Sequence, residues 1–104
     1  MRTTIEISMN QKSVDEVIQI VDTVMKVNNF QKKLLEGEEV WLKGDGVITF
    51  MQCLGICFKE NSVLLQGWVK DAFMGESELK GFAGAVPKKK LRKIMHEIVS
   101  KVDK

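Results

Sequence analysis

A chain of 104 residues has room for one hydrophobic core and not for two independent ones. Its 44% hydrophobic and 29% charged residues are those of a folded globular domain rather than a disordered chain. Sixteen Lys and Arg against fourteen Asp and Glu leave a formal charge of +2, which disfavours nucleic acid or an anionic surface as a partner of the whole molecule and leaves such binding open only to a local cluster.

Met1–Asn10 lacks the basic-then-apolar pattern of a signal peptide, and no apolar run approaches the ~18 residues of a membrane span. A cytoplasmic location is the resulting expectation. Within that segment Thr3–Met9 alternates strictly, with Ile5, Ile7 and Met9 on one side and Thr4, Glu6 and Ser8 on the other. This is the pattern of a half-buried strand.

Ser13 stands three residues before Glu16, the spacing of a capping box, and Asp15 and Glu16 complement the positive end of a helix that begins there. Val14, Val17, Ile18, Val21, Val24 and Met25 form its apolar stripe, and Asn28-Asn29 ends it. Many of these residues are β-branched and weak helix formers, so the segment needs a surface to pack against.

From Val40 the period changes to two. Turn chemistry at Gly44-Asp45-Gly46 and Glu60-Asn61-Ser62 separates strands expected over Glu38–Lys43, Val47–Phe58 and Val63–Lys70. A loop over Asp71–Ser77 and a strand over Glu78–Val86 follow. Such short connections make hairpins of antiparallel neighbours. Pro87 suits a first helical turn, and Leu91, Ile94, Met95, Ile98 and Val102 form the stripe of a C-terminal helix.

The expected fold is α+β in a single domain. It is an antiparallel sheet of four to five strands in the order β-α-β-β-β-β-α, with a C-terminal amphipathic helix packed on the sheet. By analogy of fold, this order resembles the helix-grip arrangement of small hydrophobic-ligand carriers, which implies a cavity between a curled sheet and the last helix.

Sorting strand residues by parity gives two sets. One is apolar and small: Val40, Leu42, Met51, Cys53, Gly55, Cys57, Leu65, Gly67, Val69, Gly81, Ala83 and Ala85. The other gathers Trp41, Phe50, Leu54, Phe58, Trp68 and Phe82 with Lys43, Gln52, Gln66 and Lys80. The aromatic set has three readings: a face under a helix, a dimer interface, or a wall for a ligand. Val47–Phe58 is apolar throughout except at Thr49 and Gln52, so both faces of that strand need cover.

Cys53 and Cys57 lie four residues apart. On a strand that is about 13 Å, beyond the ~7 Å limit for a disulfide. They read as buried, reduced, structural thiols, and CxxxC with His96 far away is no zinc site. Lys88, Lys89, Lys90, Arg92 and Lys93 crowd the start of the last helix. There, cations oppose the helix dipole unless they attract an anion or are balanced by Glu76, Glu78 or the Glu36, Glu38 and Glu39 group. His96 reads as a helix-surface residue, since no GxSxG-type motif provides a catalytic partner. The glycines match neither a P-loop nor a dinucleotide fingerprint, and no cofactor is expected.

The expectation is therefore a non-catalytic domain that binds a partner or a second copy of itself. The alternative is a carrier of a hydrophobic small molecule, with Trp41, Phe50, Trp68 and Phe82 as walls and Lys88, Lys89, Lys90, Arg92 and Lys93 as a separate anion-binding set.

Overall fold

The computed structural model describes residues 2–9, 11–46, 49–71, 75–79 and 85–103. Eight elements follow in order: β1 (Thr3–Ser8), α1 (Val14–Val27), β2 (Gln31–Leu35), β3 (Glu38–Lys43), β4 (Met51–Phe58), β5 (Ser62–Asp71), β6 (Gly75–Ser77) and α2 (Ala85–Val102). The capping box at the head of α1 is formed: the Glu16 amide donates to Ser13 Oγ and the Ser13 amide to Glu16 Oε1, each at 3.1 Å. Its end is formed too, by Asn28 donating to the Val24 carbonyl at 2.8 Å and by Asn29 in the left-handed region at φ 68°.

All strand pairs are antiparallel, in the order β1-β5-β4-β3-β2, with β6 also on β5. Thr3 pairs with Gly67 and Ser77 with Val69, so β1 and β6 lie end to end along one edge of β5. The sheet has six strands where four to five were expected. The additions are the short β6 and β2, and the residues of β2 are all exposed except the half-buried Leu35. An edge strand that buries no face carries no apolar alternation, and Lys32 and Lys33 suit its open edge. It joins β3 through Glu36 and Gly37, both at positive φ, the mirror-image turn that matches strand twist.

Two other boundaries differ. β4 begins at Met51 because Thr49 belongs to the preceding loop, where its amide donates to Asp45 Oδ1 at 3.2 Å; residues 47 and 48 lie outside the described set. The strand expected over Glu78–Val86 is absent from its described parts, and residues 80–84 lie outside them. Leu79 is held by its amide to Thr3 Oγ1 at 2.9 Å, Ala85 and Val86 are already helical, and the short β6 lies where a loop was expected.

Both helices cover one face of the sheet. Val17, Val21, Val24 and Met25 of α1 and Leu91, Ile94, Met95, Ile98 and Val102 of α2 pack with Ile7, Trp41, Leu54, Val63, Leu65 and Val69. Each fully buried aliphatic side chain contributes about 1.5–3 kcal/mol, which holds α2 on the sheet despite its basic start. Gly67 permits the close approach, since a Cβ there would lie 2.5 Å from Met95 Sδ.

The register overturns the parity sorting on β5. Leu54 pairs with both Trp41 and Gly67, and Cys53 with both Leu42 and Trp68. Trp68 therefore shares a face with Val40 and Cys53, opposite the helices and opposite Trp41. The turn between Phe58 and Val63, closed by the Lys59 amide on the Ser62 carbonyl at 2.8 Å, sets this register, and one residue of slip exchanges the two faces of a strand.

Candidate functional site

At one end of the sheet, the loop between β3 and β4 meets the first turn of α2. Gly44 and Gly46 take positive φ of 97° and 80°, which lets the Gly46 amide close the loop on the Thr49 carbonyl at 2.8 Å. A Cβ on Gly44 would lie 2.5 Å from the Phe50 carbonyl oxygen. This tight loop presents Thr49 and Phe50 toward the helix. Between them lies a cavity of about 440 Å³ lined by Lys43, Gly44, Thr49, Phe50, Gln52, Val86, Pro87 and Lys90.

Gln52 is the unusual member. It is 8% exposed, and its Oε1 is buried with no hydrogen-bond partner among the described residues. An unpaired buried acceptor costs about 1–3 kcal/mol. Two lining residues are lysines and none of those described is acidic. The Lys43 ammonium lies 5.8 Å from the Phe30 ring centroid, while Lys90 is exposed. The first turn of α2 holds no acidic residue, and its N–H groups lack acceptors within the helix.

The residues singled out from the sequence divide. Phe50 and Lys90 line this cavity. Lys88 is buried, 2% exposed and engaged in the fold, and Arg92 donates to the Leu79 carbonyl. Lys89 and Lys93 are exposed. Trp41 is buried in the helix-side core, with the Lys32 ammonium 5.4 Å from its ring centroid. Trp68 is buried on the other face, so the two tryptophans cannot line one cavity. Phe82 lies outside the described residues. Gln52 and Thr49 were not among the expected site residues, although they are the two polar interruptions of an apolar strand and both line the cavity.

The face opposite the helices holds a second polar constellation, centred on Arg2. Its guanidinium lies 3.6 Å from the Trp68 ring centroid. It donates to Glu38 Oε1 at 2.8 Å and Oε2 at 2.9 Å, to Glu76 Oε2 at 3.0 Å and Oε1 at 3.2 Å, and to Gln66 Oε1 at 3.1 Å. These bonds use the full fork of five N–H donors, leaving none for a ligand. The two carboxylates raise the Arg2 pKa further, and Arg2 holds the Glu76 carboxyl below its usual range. Beside this cap, Lys70 donates to Glu36 at 2.7 Å, a bond that raises the Lys70 pKa. Glu36, Glu38 and Glu76, considered from the sequence as balances for the basic start of the last helix, thus pair with Lys70 and Arg2.

Burial pushes the Cys53 thiol up to about 12, far from a nucleophile at neutral pH. Cys57, expected to be buried, is exposed, because the end of β4 runs beyond the capped part of that face. His96 is exposed on α2. Among the described residues there is no group of three His, Cys, Asp or Glu able to hold a metal ion, and no helix is long and apolar enough to cross a membrane. Compared with models of protein families, with curated proteins and with solved structures, the chain matches none.

Proposed function

We propose that the protein is a non-catalytic binding domain that holds a small, partly apolar molecule between the first turn of α2 and the β3–β4 loop. The observation that carries this reading is Gln52, a residue of the wall of a 440 Å³ cavity whose Oε1 is buried without a partner among the described residues. A ligand donor at that oxygen would remove a standing cost of the free protein. The volume falls within the range of small-molecule sites, ~300–1,000 Å³, and Phe50, Val86 and Pro87 supply apolar contact. Further support comes from the inert Cys53 thiol and the solvent-facing His96.

Titration with 1-octanol, followed through backbone amide NMR shifts, tests the reading. Shifts concentrated at Thr49–Gln52 and at Val86–Lys90 are expected, and shifts confined elsewhere would refute it. Native mass spectrometry of the purified protein adds an independent check. A co-purifying small molecule on a single chain supports the proposal, whereas a doubled mass without one favours self-association.

A further inference from the structure

Resting on that cavity reading, we infer that the ligand is a small amphipathic anion whose charged group stands beside an O–H or N–H donor. Three features of one wall carry the inference. Charge comes first. Lys43 and Lys90 line the cavity and none of its described lining residues is acidic, while Asp45 of the same loop accepts from the Thr49 amide. α2, whose Val86 and Pro87 border it, begins with no acid in its first turn. The positive end of the helix and the two ammonium groups therefore act in the same direction, and a carboxylate or phosphate would be held by both.

The donor requirement comes from Gln52. A carboxylate alone cannot satisfy a buried amide oxygen, because it has no proton to donate. A hydroxyl or amide N–H next to the charged group can. The remaining lining is apolar, through Phe50 and Pro87 and through Val86, which is 64% exposed and is the large apolar side chain that α2 leaves in water among the described residues. A hydrocarbon body would cover it.

The same geometry argues against a polyanion. Such a partner needs an extended basic surface with free cations. Here Lys88 is buried and engaged, and Arg92 is committed to the Leu79 carbonyl. The basic run at 88–93 is thus broken into separate charges, of which Lys90 reaches the cavity.

Isothermal titration calorimetry of the full chain at low salt, with three probes of one chain length, tests each feature. Octanoate should bind about threefold to tenfold tighter than 2-octanone, which has neither charge nor donor, and 3-hydroxyoctanoate about threefold to tenfold tighter again. The double variant Lys43→Gln/Lys90→Gln should abolish the advantage of octanoate over 2-octanone. Gln52→Met should abolish the advantage of the hydroxyl while octanoate still binds tighter than 2-octanone. If 2-octanone binds at the cavity and octanoate binds no tighter, the anionic assignment is overturned while the cavity reading stands. If octanoate gains and the hydroxyl adds nothing, the donor assignment is overturned. If no probe binds, the cavity reading itself falls.

Discussion

The Arg2 guanidinium lies 3.6 Å from the centroid of the Trp68 ring, and Trp68 is fully buried on a face that neither helix covers. A flat cation held by Glu38, Glu76 and Gln66 thus does for this face what α1 and α2 do for the other. Beneath the indole, Gly55 leaves space, and a Cβ there would lie 3.7 Å from Trp68 ring carbons. Arginine, aromatic ring and glycine are stacked together on this one face of the sheet.

Removing the top of that column should cost stability. Arg2→Ala is expected to lower it by about 2 kcal/mol, through loss of the cation–π contact and of the forked bonds that separate two carboxylates. Urea unfolding followed by Trp fluorescence should show a lower midpoint with an unchanged slope. Arg2→Lys should recover only part of the loss, since an ammonium cannot fork to two carboxylates. An Arg2→Ala midpoint equal to that of the wild type would contradict the assigned role.

The same cluster should be sensitive to acid. Because Arg2 holds Glu76 below the ordinary value of 4.5, the unfolded chain takes up a proton more readily than the folded one. Glu76 therefore contributes its full stability above the unfolded carboxylate range and loses it as pH falls through the lower folded value. Melting temperatures measured from pH 7 down to about pH 2 should drop more steeply below 4.5 in the wild type than in Arg2→Ala. Parallel curves would show that the pair is not coupled to folding.

Gln52→Met keeps the shape of the side chain and removes its amide. Without ligand, it should raise stability by about 1 kcal/mol, because the acceptor left unpaired in the free protein disappears. An unchanged or lower melting temperature would show that the oxygen is satisfied in solution. A gain in stability accompanied by weaker binding is the signature of a group retained for function.

Gly67→Ala should destabilise by about 1–3 kcal/mol, as overpacking does in a full core. The added methyl meets Met95 Sδ, and Leu79 Cδ1 lies 3.1 Å from the same point. Gly55→Ala, with ordinary contact distances to Trp68 and Glu38, should cost clearly less. A reversed order in denaturant midpoints would place α2 on the wrong strand.

The two thiols should separate kinetically. Cys57 is exposed and Cys53 buried, so a disulfide reagent at pH 8 should label one thiol in the native protein and the second only on unfolding. Two native equivalents would mean that the Arg2 cap opens readily.

Much of the architecture is legible without coordinates, because its signals are local. The Ser13 and Glu16 box, the α1 stripe ending at Asn28 and the α2 stripe from Leu91 to Val102 each lie within a few helical turns, where period and capping chemistry are properties of contiguous residues. The α+β class and the antiparallel arrangement follow from the same kind of signal. Gln52 and Thr49 were visible as polar interruptions of an apolar strand, but nothing in their neighbourhood says what they face.

What only the tertiary structure decided is everything that depends on register and on distance along the chain. The loop between Phe58 and Val63 sends Trp68 to the face opposite Trp41, a choice of one residue that strand periodicity leaves open. The edge strand β2 has no buried side to imprint an alternation. Arg2 meets Glu38 and Glu76 across 36 and 74 residues, and Gln52 meets the first turn of α2 across a similar gap in sequence. Such encounters arise when packing brings separate elements together, so a short run of residues contains no trace of them.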